Sequence, residues 1–401
     1  MSARACRPRP DRSCWPDQEL DRPWTRACPV TVLPISSRTG TSRSSGSKEY
    51  AVTSLAERVD LVIGVDTHKH THTAAVVDAT TGGTLSELTV STDPGGYGEL
   101  LTWVGAIRGG SRVWALEGGG GYGAGLARFL GSAGEQVVEL DRPKRAARRH
   151  GAKSDSLDAV RAAREALARE HLARIKDDGP RAELAVLMAA RRSGVEAATL
   201  AQRQLLALVT AAPEELRAVL RGANTTVTVQ TAARLRTRSA WDRQTVTTAN
   251  VLRTLARRVL TLQGEARDHE TAIGEIVRSW RPDLLTQPGI GALTAAQVLI
   301  AWSHPGRIRS EAAFAMLAGT APIPASSGMT IRHRLNRSGD RQLNRALHVI
   351  ALSRARYDQR TRDYIDRRRA QGKTDREIRR CLKRYIARDL FRQLEHGPLP
   401  A

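Results

Sequence analysis

Four acidic residues stand where they could do chemistry: Asp66, Glu117, Asp155 and Asp158. Asp66 closes the apolar run LVIGVD and Glu117 closes RVWALE, so each belongs at the end of a strand. Asp155 and Asp158 lie three apart in KSDSLDA, which reads as a helix start. One helical turn separates them, so both side chains share a face. Any one of these acids has an ordinary alternative as a helix cap or a solvated strand end. Together they form a set of oxygen donors suited to two hard divalent cations, Mg²⁺ or alternatively Mn²⁺. Such a pair, about 3.5–4 Å apart, serves phosphoryl transfer by activating the attacking oxygen and stabilising the leaving one.

Other segments carry weaker signals. His68, His70 and His72 alternate just after Asp66 and would share a face on an unbroken strand. A strand break near Thr67 to His70 removes that face, and the carboxylates already supply a site. GGGGYG, from Gly118 to Gly123, lies between a strand and a helix and lacks the Lys-Ser/Thr of a phosphate-cradling loop, so it reads as an active-site turn. Ser326 and Ser327 sit in PASSG, ahead of Arg332, His333, Arg334, Arg337 and Arg341. A serine amid arginines can attack a phosphodiester once the phosphate is neutralised, although Ser-Gly on its own is usually only a turn. The basic loop PKRAARRHGAK offers Lys144, Arg145, Arg148 and Arg149 to a nucleic acid. The turn TQPGIG, with Gly289 and Gly291, reads as a helix-hairpin-helix-like segment whose backbone N–H groups can approach a phosphate.

Composition narrows the class of partner. Lys and Arg number 63 against 41 Asp and Glu in 401 residues, a net charge of +22. That excess points to a polyanion, nucleic acid before membrane, although a genome that favours arginine would raise it too. No stretch approaches the roughly 18 continuous apolar residues of a membrane span, and no apolar signal core stands near the start. The four cysteines, Cys6, Cys14, Cys28 and Cys381, fit neither a zinc module nor a disulfide framework, which suits a reducing cytoplasm.

Periodicity supplies the elements that must hold these residues. Residues 1–57, rich in Arg, Ser, Pro and Thr, read as a disordered basic extension or as translation from an upstream start. Residues 58–172 read as three strands, helix, strand, helix (from about Tyr122 to Ser132), strand, helix, which is an α/β mixed sheet flanked by helices. Residues 173–284 read as helical. There Leu252, Leu255, Val259, Leu262, Ala266, His269, Ile273 and Ile276 keep a 3-4 spacing, a coiled-coil seam that could face an earlier helix or a second copy. Residues 285–401 read as a mainly helical second domain, its last helix opened by a capping box at Thr374 and Glu377.

The chain resembles, over roughly residues 60–360, the transposases of the insertion-sequence family one-hundred-ten. GVDTHKHTHTA, ALEGG and KSDSLDA carry the resemblance in the first half, and LTQPGIG, LAGTAPIPASSG and HRLNRSGDRQLNRAL carry it in the second. It implies a RuvC-like domain of ribonuclease-H fold, with a DEDD tetrad falling on Asp66, Glu117, Asp155 and Asp158. It also implies a serine nucleophile just before a glycine, Ser327 here, a transient phosphoserine link to cleaved DNA, and strand exchange. The partners implied are double-stranded DNA at the element ends and target, other copies of the chain in a homodimer or homotetramer sharing a composite site, and a structured noncoding (bridge) RNA that guides some members. Two rivals stand beside this reading. One is a RuvC-like junction-resolving nuclease that uses water. The other is a non-catalytic architectural DNA-binding protein, against which clustered acids count, since they repel phosphates unless cations sit between.

Overall fold

The structure, a computed structural model, describes residues 55–107, 110–140, 155–221, 224–325 and 333–397. It forms two units that divide between Lys176 and Asp177. The expected N-terminal extension, the basic loop with Lys144, Arg145, Arg148 and Arg149, and the stretch holding Ser326, Ser327 and Arg332 lie outside the described residues.

In the first unit, strands β1 (Leu61–Thr67), β2 (Thr71–Asp78) and β3 (Thr84–Ser91) are followed by helix α1 (Pro94–Ala106). Strand β4 (Arg112–Glu117), helix α2 (Ala124–Ser132), strand β5 (Val137–Leu140), helix α3 (Asp155–Ala168) and the short strand β6 (Ala173–Arg174) complete it. The sheet order is β3-β2-β1-β4-β5-β6. β1 pairs antiparallel with β2 and parallel with β4, β4 runs parallel to β5, and β6 returns antiparallel. This is the mixed, helix-flanked sheet expected from the sequence, with β6 added. Helix α2 begins two residues later than the periodicity suggested, which leaves Tyr122 and Gly123 in the turn before it.

The run LVIGV in β1 is buried throughout because both faces of the sheet are covered. Val62, Val113, Ala115 and Leu140 pack with Ala159, Ala162, Ala163 and Ala166 of α3 on one face. Ile63, Val65, Trp114 and Leu116 pack with Leu100 of α1 and Leu126 and Leu130 of α2 on the other. The edge strand β3 is mostly exposed, as its polar-rich sequence TLSELTVS requires.

Glu135 is tied to this core by hydrogen bonds. Glu135 accepts hydrogen bonds from Arg112 Nε at 2.9 Å and from Nε1 of the fully buried Trp114 at 2.8 Å. The Arg112 hydrogen bond is the largest cause holding the Glu135 carboxyl below its ordinary range, and the bond from Trp114 adds to it. A depressed carboxylate pKa contributes stability above the unfolded value of about 4.3, and that stability is lost as pH falls through the folded value. Glu135→Gln is therefore expected to cost about 1–3 kcal/mol at pH 7, by leaving Arg112 without its ionised partner. Thermal melts across pH check this: the gap to wild type should close below about pH 4, and a gap independent of pH would reject the ion-pair account.

The second unit is mostly helical. Its long helices α4 (Pro180–Ala211) and α7 (Arg243–Trp280) pack against each other within the chain, on either side of the connecting helices α5 (Glu214–Leu220) and α6 (Thr225–Ala233). Arg191 pairs with Glu270, and Gly194 lies against Leu262, so the two run in opposite directions. Of the expected seam, Leu252, Val259, Ala266 and Ile273 are buried. The short helix α8 (Pro282–Leu285) leads to α9 (Ala292–Trp302), α10 (Glu311–Leu317), the two-stranded β7 (Ile323–Pro324) and β8 (His333–Arg334), then α11 (Arg341–Tyr357), α12 (Gln359–Ala370) and α13 (Asp375–His396). Helix α13 opens on the expected capping box, with Thr374 N donating to Glu377 Oε2 at 2.8 Å. Its stripe of Ile378, Leu382, Ile386 and Leu390 is buried.

Candidate functional site

Strand alternation fixes which way the acids face. In β1, Leu61, Ile63 and Val65 enter the core under α1 and α2, while Val62 enters the core under α3. Asp66 continues the second set and so faces α3. In β4, Val113 and Ala115 lie on the α3 face and Trp114 and Leu116 on the other, which puts Glu117 on the α3 face as well. The parallel register pairs Val65 with Leu116, so Asp66 and Glu117 follow side by side on neighbouring strands. Thr67 Oγ1 donates to the Glu117 carbonyl at 2.9 Å and ties the two strand ends together. Helix α3 lies on this same face and carries Asp155 and Asp158 in its first turn.

Gly64 permits that arrangement. A Cβ at this position would lie 2.1 Å from the Ala159 carbonyl oxygen and 2.4 Å from the Ala163 nitrogen. Only a glycine on β1, facing alanines on α3, lets helix and strand approach this closely. The first turn of the helix is thereby held beside the ends of β1 and β4.

His68 joins the cluster. Its Nε2 lies 3.1 Å from Asp66 Oδ2 and 3.5 Å from Asp155 Oδ1. Asp66, His68 and Asp155 can each offer one ligand atom within 4.8 Å of the others. Asp158 Oδ1 accepts from Arg161 at 2.8 Å. The Asp66 carboxyl is held above its ordinary range, chiefly by burial. The charge and hydrogen bond of His68 oppose that rise, and repulsion from Asp155 and Asp158 adds to it. A half-buried carboxylate facing two more is the electrostatic setting that a cation relieves. The donors are hard oxygens with one imidazole, which fits Mg²⁺ or Mn²⁺ through the carboxylates.

The three histidines take different settings in the structure. Residues 68–70 do break the strand between β1 and β2. His70 is exposed, and His72 is fully buried and stacks on Tyr97 on the opposite face. His68 alone turns toward the carboxylates, because the break frees it from the strand's alternation. The pattern His-x-His-x-His held no signal for which of the three would do so.

The remaining expected contacts are spread over the second unit. Gly289 has φ +76° and packs where a Cβ would lie 3.1 Å from both Arg354 Cγ and the Ile350 oxygen, so its turn serves the contact with α11. Gly291 is open, but its N–H already donates to Thr294 Oγ1 at 3.0 Å. Arg334, Arg337 and Arg341 are exposed along β8 and the start of α11. β7 and β8 flank, in sequence, the stretch with Ser327 and Arg332 that lies outside the described residues.

Comparison with known proteins finds two family models along the chain. Residues 63–213 match the family model of DEDD-type IS110 transposases, a span that begins in β1 and contains all four acids. Residues 282–366 match the model of the Transposase IS116/IS110/IS902 family. Among curated relatives, an insertion element IS110 protein of 43.6 kDa from Streptomyces coelicolor is 32% identical over 167 residues, 39% of this chain and 41% of that protein. An insertion element IS900 protein of 42 kDa from Mycobacterium paratuberculosis is 35% identical over 129 residues, 31% of this chain and 32% of that one. The matched part thus spans less than half the length of either relative. With both family models matched in order along its length, the chain belongs to the IS116/IS110/IS902 family of transposases.

Proposed function

We propose that the chain is a DNA transposase/recombinase that cuts and rejoins DNA strands by metal-dependent, serine-assisted phosphoryl transfer. The observation that carries the reading is the cluster of Asp66 and Asp155 with His68, with Asp158 in the same helical turn and Glu117 at the end of the neighbouring strand. The sheet order β3-β2-β1-β4-β5, with β2 antiparallel to its neighbours, supports assigning this unit as a RuvC-like ribonuclease-H fold.

In this reading the four carboxylates hold one or two divalent cations, Mg²⁺ by donor type. Cations bound there supply charge neutralisation at the phosphodiester and ease loss of the attacking hydroxyl's proton. Asp66 is the central ligand, set between Glu117 on the next strand and Asp155 on the helix. His68 orients the Asp66 and Asp155 carboxylates from 3.1 and 3.5 Å. The turn from Gly118 to Gly123 follows Glu117 directly and exposes Gly120, Gly121 and Tyr122. Ser327 supplies the nucleophile: its Oγ bonds to phosphorus as a bond from phosphorus to a deoxyribose oxygen breaks. Oγ loses its proton and the leaving oxygen gains one. The exposed Arg334, Arg337 and Arg341, with Arg332, neutralise backbone phosphates. The net charge of +22 suits double-stranded DNA together with a structured guide RNA, bound by a homodimer or homotetramer.

The test is trapping. End-labelled element-end DNA incubated with the full chain and Mg²⁺ is expected to stay attached through denaturing electrophoresis, and Ser327→Ala should leave no adduct. Free cleaved ends from Ser327→Ala would instead identify a nuclease that uses water. DNA binding without cleavage under Mg²⁺ or Mn²⁺ would identify an architectural protein.

A further inference from the structure

The glycine-rich turn after Glu117 displays an aromatic ring that no structural role absorbs. Gly119 and Gly123 are buried and anchor the turn. A Cβ on Gly119 would lie 3.4 Å from Ile175 Cδ1, and one on Gly123 would lie 3.0 Å from Thr67 Cγ2. Hydrogen bonds from Gly121 N to the Gly118 oxygen at 2.8 Å, and from Ala124 N to the Gly121 oxygen at 3.1 Å, set its shape. Between the anchors, Gly120, Gly121 and Tyr122 are exposed, and Tyr122 is 64% exposed.

Three features give this ring a direction. First, the turn starts directly after Glu117 and seats Gly123 against Thr67, so it lies at the end of the sheet where β1 and β4 finish. Second, side chains at Gly120 and Gly121 would meet nothing nearer than Lys176 Nζ at 3.9 Å and the Gly118 oxygen at 3.5 Å. Internal packing therefore does not require glycine at either position, and their bareness leaves room around the ring. Third, Lys176 places an ammonium group next to the turn, 3.7 Å from Glu139 Oε1. An exposed aromatic with clear surroundings, on a turn that also has a cation near it, can take a base on the ring and a phosphate on the charge.

We infer that Tyr122 is a stacking platform for an unpaired DNA base adjoining the phosphodiester held at the carboxylates, with Lys176 contacting the neighbouring phosphate. The inference rests on the proposed reaction for its choice of DNA. It adds a positioning residue that holds the strand against sliding and accepts any base, because every base presents a π-face. In a basic protein whose acids repel phosphates, such a contact also holds the strand near those acids without relying on charge attraction.

The experiment uses the full chain in EDTA, with DNA carrying a short single-stranded gap that contains 2-aminopurine and with a fully duplex control. Wild type and Tyr122→Phe should quench the probe's fluorescence. Tyr122→Ala should not, and should bind gapped DNA about tenfold more weakly, the low end of one base–aromatic stack. Its duplex affinity should stay within about twofold, and its melting temperature should not move. Unchanged quenching by Tyr122→Ala would overturn the inference, and so would an equal loss on duplex and gapped DNA. A change in oligomeric mass in Tyr122→Ala would overturn it too, by assigning the ring to a protein contact. Equal gapped-strand discrimination with RNA in place of DNA would refute the choice of DNA. Because the assay needs no cleavage, a chain that quenches but never cuts rejects the proposed reaction and leaves the stacking site standing.

Discussion

Asp66→Asn is expected to lower Mg²⁺-dependent DNA cleavage by about 10³-fold or more while the protein stays folded and bound to DNA. The substitution keeps shape and volume, and the amide can still hydrogen-bond His68, 3.1 Å away in the wild type. What it removes is the charge and one anionic oxygen donor at the centre of the cluster. Charge stabilisation by a correctly held cation contributes several kcal/mol in the transition state, and about 4 kcal/mol corresponds to 10³ in rate. Stability should rise slightly or stay level, since burial and repulsion from Asp155 and Asp158 already penalise the ionised Asp66 in the absence of cations. Loss of activity without loss of stability separates a ligand from a structural carboxylate. Single-turnover cleavage across a Mg²⁺ titration, alongside thermal melts, makes the measurement. Cleavage within tenfold of wild type at saturating Mg²⁺ would remove Asp66 from the site.

The acids at the sheet end were legible in the sequence because two strong regularities point at them. A continuous apolar run announces a buried strand, and its first polar residue marks the strand's end, as at Asp66 and Glu117. Helical spacing then places Asp155 and Asp158 on one face. The sheet's order was not legible, because pairing is non-local: nothing in RVWALE states that it lies beside LVIGV rather than at an edge. His68 was hidden for a related reason. Its approach to Asp66 and Asp155 depends on where the strand breaks, within a run whose alternation suggests no break at all. In the second unit, the spacing over Leu252 to Ile276 includes the buried Leu252, Val259, Ala266 and Ile273, but either partner would have satisfied it. Packing against α4 within the chain is a fact of tertiary structure. Gly289 shows the same limit, since nothing in a Pro-Gly-Ile-Gly turn states that a Cβ at its first glycine would meet α11.

Gly64→Ala should do more damage than its size suggests, and in two readouts at once. The added methyl would stand 2.1 Å from one backbone atom of α3 and 2.4 Å from another, with Ala163 Cβ at 3.0 Å. Backbone atoms cannot swing aside as a long side chain can, so the helix must move away from β1 as a body. Overpacking of this kind costs about 3 kcal/mol or more. For a domain of this size that is a fall of about 6–12 °C in melting temperature. The same displacement carries Asp155 and Asp158 away from Asp66 and Glu117, and a misplacement of about 1 Å in a catalytic constellation costs about 10²-fold in rate. Two further substitutions make the argument specific. Gly120→Ala introduces a methyl with nothing closer than 3.9 Å and should melt like wild type. Ala163→Gly, combined with Gly64→Ala, removes only the 3.0 Å contact and leaves both backbone clashes, so it should fail to restore either stability or cleavage. A Gly64→Ala protein with wild-type melting and cleavage would mean that α3 does not rest on β1 at Gly64. The placement of the acidic pair beside Asp66 would then lose its structural basis.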